Sequence, residues 1–176
     1  MTAWRSTSYL ALLAIIGGAG ALAWVAGLWS SQNTASSSFG RVQLVVDYGT
    51  AANRPRFEAT VANFCGTGWQ LLQKAGLSVQ GTDEYPQSFV CRINDWPAAE
   101  VQNCRDTPTY AEGSWKYFIA DQKLGNNWLA SGFGAAAHQT GCGMAEAWLW
   151  VDPSQANSSA DSAVPGIAPR FYPCER

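Results

Sequence analysis

The sequence predicts an α+β domain, a mixed sheet with one short helix packed on a face, carried behind a single N-terminal transmembrane helix. Three observations lead there. Tyr9–Trp29 is an uncharged apolar run of 21 residues. Downstream, short Val- and aromatic-rich stretches alternate apolar and polar residues in the manner of strands. One window alone, residues 67–76, switches to helical period. Strand, strand, helix and then several strands is an α+β order.

The apolar run comes first in the chain. At 1.5 Å per residue a helix of this length crosses a hydrocarbon core of about 30 Å. It exceeds the apolar stretch of a signal peptide, and no A-x-A site closes it. Trp29 suits the water interface of a spanning helix. The expectation is therefore an uncleaved anchor at 9–29. Arg5 is the only Lys or Arg before it, and none follows until Arg41. That asymmetry leaves residues 1–8 in the cytoplasm and sends the rest across the plasma membrane as a single-pass protein with an extracytoplasmic C-terminal domain. Residues 30–40, rich in Ser, Asn, Thr and Ala, read as a flexible tether.

The first strand is expected at Arg41–Tyr48 and the second at Phe57–Phe64, with a loop between. Thr67 is placed as N-cap of the helix, with Gln70 three residues on completing a capping box. Leu71, Leu72 and Ala75 fall on one face, and Gly76 is the stop. Further strands are expected at Leu77–Thr82, Ser88–Ile93, Trp115–Ala120, Trp128–Ala130 and Glu146–Val151, where Asp152-Pro153 ends the run. The domain thus spans 41–152. Residues 153–176 read as a Ser/Ala/Pro-rich tail, with Phe171, Tyr172 and Cys174 able to dock back.

Composition narrows the function. Net charge is −2, with no basic stripe, so nucleic acid is not an expected partner. All five cysteines, Cys65, Cys91, Cys104, Cys142 and Cys174, lie beyond the anchor, where an oxidising compartment favours disulfides. A metal site is not expected: there is no C-x-x-C, and His138 is the only histidine. Cys91–Cys104 is the favoured bridge, closing a loop around Asn94-Asp95-Trp96-Pro97. Among Cys65, Cys142 and Cys174 the pairing stays open.

No catalytic constellation emerges. Residues 129–133 around Ser131 fail the G-x-S-x-G elbow. His138 is the only histidine and sits in a loop, where a lone histidine is more often solvated than catalytic. Asp83, Glu84 and Asp95 sit in turn-like sequence, where acids serve local hydrogen bonds. Cys65, just before the helix, stands where a thiol can be activated, although a disulfide is its commoner fate in an exported chain. A thiol-dependent exported enzyme is therefore the third reading, and no cofactor is expected.

The order of motifs carries a resemblance. Val46-Asp47-Tyr48-Gly49, TGWQLLQKAG at 67–76, FVCRIN at 89–94, WKYF at 115–118 and GMAEAWLW at 143–150 occur in sequence. Over residues 41–152 this resembles the bacterial exported domains grouped with the C-terminal domain of transcobalamin, in the soluble-ligand-binding β-grasp superfamily. The resemblance implies a β-grasp-like mixed sheet around one helix. It also implies a non-enzymatic role: binding a soluble ligand, a corrinoid being the ligand of the animal relative, or serving a surface protein.

Nine Trp give the binding reading its physical content. Trp96, Trp115, Tyr117 and Trp128 are the candidates for an apolar ligand wall. Trp115 and Tyr117 share a parity on one strand, as do Trp148 and Trp150 on another. The Cys91–Cys104 loop and the loop Asn126–Gly134 are the candidate rims. The alternative is a cell-envelope interaction or structural module with an envelope or transporter protein as partner.

Overall fold

The computed structural model describes residues 38–155 and 162–174. Among these residues no helix is long and apolar enough to cross a membrane. The anchor expected at 9–29 lies outside them.

The elements are β1 (Gly40–Asp47), β2 (Phe57–Phe64), β3 (Gly66–Thr67), α1 (Gly68–Lys74), β4 (Val79–Gly81), β5 (Val90–Ile93), β6 (Ser114–Asp121), β7 (Leu129–Ala130), β8 (Gln139–Thr140) and β9 (Met144–Val151). The fold is mixed α+β, with a short helix packed against a mixed sheet of order β2-β1-β9-β6-β7. Its first and last long strands, β1 and β9, lie side by side and parallel, while the other pairs are antiparallel. Two small ribbons, β3-β8 and β4-β5, flank it. The two-residue strands β3 and β8 carry no sequence period, and none was expected there.

β1 is central, between β2 and β9, and both its faces are covered. That is why it reads as a Val-rich run, with Val42 and Leu44–Val46 fully buried. β2, at the edge, keeps the half-exposed alternation expected of it. The helix is built as its sequence specifies. Thr67 Oγ1 accepts from the Gln70 N–H, and Gln70 Oε1 accepts from the Thr67 N–H, closing the capping box. At the other end Gly76 adopts φ +82°, and the Leu77 N–H reaches back to the Leu72 carbonyl. This is the Schellman stop, which needs a left-handed residue at that point. Trp69, Leu71 and Leu72 then sink into the core.

One sheet face meets this helix. Its core gathers Val42, Leu44 and Val46 from β1 with Trp115 and Tyr117 from β6 and Trp148 and Trp150 from β9. Both aromatic pairs therefore share the helix side, in direct cross-strand register: Trp115 opposite Trp150 and Tyr117 opposite Trp148. The opposite face carries Val45, Phe118 and Ala147. Residues 162–174 lie across it as a strap. Lys116 Nζ and Trp128 Nε1 donate to the Ala163 and Ile167 carbonyls, and the Arg170 N–H donates to Gln43 Oε1. Two disulfides complete the domain, Cys91–Cys104 and Cys142–Cys174, and Cys65 is in neither. The second bridge ties the end of the strap to the β8–β9 turn.

Candidate functional site

A groove opens on the helix side of the sheet, over β6 and β9. Its volume is about 250 Å³. β6 and β9 supply its floor through Trp115, Tyr117 and Trp148, and Tyr110, Phe89 and Phe133 stand around it. Strand pairing sets the floor. Because Tyr117 faces Trp148 in the register, their rings stack at 4.3 Å between centroids with planes 13° apart. Trp115 is held edge-on between Tyr48 at 5.7 Å and Trp150 at 5.6 Å. Such contacts fix ring positions as well as burying area.

The rim is the loop 131–135. It is pinned at both ends by backbone bonds: the Ser131 N–H donates to the Tyr117 carbonyl at 2.9 Å, and the Trp69 N–H at the start of α1 donates to Ala135 at 3.1 Å. Between these pins Phe133 stands out, 68% exposed. Ser131 Oγ donates to the Phe133 carbonyl and accepts from the Phe133 N–H, so its hydroxyl serves the loop's own shape.

Beneath the floor lies a polar cluster. Glu146, on β9, is fully buried. Burial pushes its carboxyl up to about 8, against the opposing pull of the Tyr117 and Thr140 hydroxyls. Neither carboxyl oxygen, nor Tyr117 Oη or Thr140 Oγ1, meets a partner in full hydrogen-bond geometry. The proximity is real and the bonds are loose, so the four oxygens form a polar contact group rather than a closed network. Tyr117 is likewise raised, by burial first and then by Glu146. His138 packs edge-on to Tyr117 at 6.2 Å and is lowered by burial, with Asp121 pulling the other way. Gly68 makes room for the cluster: a Cβ there would stand 2.5 Å from Tyr117 Oη and 2.7 Å from Glu146 Oε2.

The four aromatic candidates from sequence separate. Trp115 and Tyr117 come together on the groove floor. Trp96 does not reach it; it packs edge-on to Trp150 at 6.1 Å, with Arg54 over its ring at 5.9 Å. Trp128 lies on the opposite face, where its indole N–H is bonded to the strap. The rim Asn126–Gly134 contributes Ser131–Gly134 to the groove, whereas the groove margin near β5 comes from Ser88–Val90 rather than from the Cys91–Cys104 loop. Sequence reasoning missed Trp148, Phe133 and Glu146. Trp148 was findable, since it shares the parity of Trp150 on a strand able to pair with β6. Glu146 was hidden, because an acid in a strand normally marks its solvent face.

A second cleft, of about 350 Å³, runs between Trp128 and residues 164–169. It is larger but shallow, and one of its walls is the strap itself. The groove over Trp115 and Tyr117 is the better site, because aromatic side chains surround it and the sheet fixes its floor.

Comparison of the chain with family models, with curated proteins and with solved structures finds no match.

Proposed function

We propose that this chain is a membrane-anchored, extracytoplasmic, non-enzymatic module of β-grasp type that binds a soluble ligand in the groove over Trp115, Tyr117 and Trp148. The observation that carries the reading is the stacked floor roofed by an exposed Phe133. The topology supports the β-grasp part: an opening hairpin, a helix crossing one face, and a last strand inserted parallel to the first. The two disulfides suit an oxidising compartment.

The groove sets the ligand's size. Pockets for drug-sized molecules run from roughly 300 to 1,000 Å³. A space of about 250 Å³ takes one flat ring system, or one edge of a larger planar ligand. A corrinoid would enter by an edge of its macrocycle or a side arm, with most of it outside.

Thermal-shift screening of the full chain in detergent tests the proposal, with hydroxocobalamin, haemin, aromatic amides, peptides and glycans as probes. The expected result is stabilisation by a planar probe that Phe133→Ser weakens. Phe133 is mostly exposed, so that variant keeps the fold. No stabilisation by any probe, together with a stoichiometric protein partner crosslinked in membranes, would favour the envelope-interaction reading instead. Exposed Leu129 and Phe133, on the stretch that also forms the groove rim, are the surface such a partner would use.

A further inference from the structure

We infer that one end of the domain, the rim carrying Phe39, Lys123 and Leu124, rests on the lipid surface. This rests on the membrane-anchored reading above. Backbone hydrogen bonds join the three segments of this rim. The Cys142 N–H donates to the Ser38 carbonyl at 2.8 Å, and the Gln122 N–H donates to the Gly143 carbonyl at 3.0 Å. A Cβ on Gly40 would collide with Cys142. The segment entering β1, the turn before β9 and the turn leaving β6 therefore stand side by side. Sheet order requires it, since β1 and β9 run parallel and β6 runs against them.

This rim carries two large apolar side chains in water, Phe39 at 60% and Leu124 at 73% exposure. They are among the most exposed large apolar side chains of the described residues; Phe39 immediately precedes β1 and Leu124 lies in the turn after β6. The Leu124 N–H is tied to the Asp121 carbonyl at 2.9 Å, so the turn is built. The Asp121 carboxylate is turned inward to the Lys123 N–H at 2.8 Å. The exposed side chain of Lys123 stands beside Leu124, as a cation does beside apolar groups at a headgroup layer.

The place of the proposed anchor in the sequence points to the occupant. The chain enters the domain at Ser38, on this rim. From Trp29 to Ser38 a fully extended chain spans at most about 30 Å. A domain whose strands are eight residues long has its far end roughly 25 Å from the rim. The tether therefore keeps this rim within about 30 Å of the bilayer, whereas the far end can stand some 25 Å further out, and the exposed apolar side chains Phe39 and Leu124 lie on the rim that is kept close.

The test uses the full chain in nanodiscs of phosphatidylcholine and phosphatidylglycerol carrying a few headgroup-spin-labelled lipids. Methyl signals are read at Leu124 and Met144 on the rim and at Ala51, in the turn after β1 at the other end. The expected result is strong broadening at Leu124 and Met144 with Ala51 intact, and recovery of Met144 in the double variant Phe39→Ser, Leu124→Ser. Both substituted side chains are exposed, so the variant keeps the fold. Equal broadening at both ends, or stronger broadening at Ala51, would overturn the inference while leaving the anchor standing. A chain that fails to co-elute with the nanodiscs would overturn the anchor and the inference together.

Discussion

Glu146 is the residue whose chemistry departs furthest from its sequence signature. A glutamate in the run EAWLWV reads as the polar member of an alternation. In the fold it lies fully buried behind Tyr117. Its proton is held up to about pH 8, whereas an unfolded chain releases it near 4.5. Between these values the folded state binds more protons than the unfolded one, so stability must fall as pH rises. The contribution is complete below about 4.5 and is lost as the pH climbs through 8. The slope is at most about 1.4 kcal/mol per pH unit. Urea midpoints between pH 5 and 9 should show this decline, and Glu146→Gln should flatten it. A decline unchanged in Glu146→Gln would place its origin elsewhere. At Gly68, packing decides. Adding a Cβ there drives it against Tyr117 Oη and Glu146 Oε2. Gly68→Ala should cost about 1–3 kcal/mol, the usual penalty of overpacking, read from the same urea midpoints. A neutral substitution would mean that the cluster yields more easily than its geometry implies.

At the scale of elements, much was legible because local chemistry agreed with the fold. Thr67, Gln70 and Gly76 specify a helix start and stop by hydrogen bonds that need only a few neighbouring residues. Those bonds are present at both ends. Thr67→Ala should therefore lower stability by about 1 kcal/mol, measured as a shift in denaturant midpoint with little change in slope. The long strands were legible from Val and Trp parity, with ends shifted by one or two residues. The site was less so. Parity brings Trp115 and Tyr117 to one face, but it does not tell a core indole from a wall. Trp96 looked like a wall residue in its turn and instead packs against Trp150. Trp128 looked like its equivalent, yet it lies just before the two-residue strand Leu129–Ala130, and its ring turns to the other face. Which face an aromatic takes there depends on the strap, which arrives from almost forty residues further along the chain.

For the whole molecule, the strap is what sequence periodicity could not announce. Residues 162–174 add no strand to the sheet. They are held by single bonds to Lys116, Trp128 and Gln43, by Tyr172 at 2.7 Å from the Thr60 hydroxyl, and by Cys142–Cys174. None of these has a period. The pairing of Cys142 with Cys174, one of three left open by the sequence, follows from the strap's course back to the β8–β9 turn. By loop entropy that bridge contributes roughly 3–4 kcal/mol in a model-dependent account. Replacing both cysteines by Ser should lower the thermal midpoint and speed amide exchange at Val45, Phe118 and Ala147 on the face the strap covers. Exchange unchanged there would mean that the strap stays down without its bridge.

Under the proposed function the groove, and not the cleft under the strap, takes the ligand. Indole N–H signals decide between them, since Trp115 and Trp148 line the first and Trp128 the second. The measurement is a titration of the ¹⁵N-Trp-labelled full chain with whichever probe stabilises it in the thermal screen. The Trp115 and Trp148 signals should move together and saturate at one equivalent while Trp128 stays still. Movement of Trp128 with Trp115 and Trp148 unmoved would contradict the proposal.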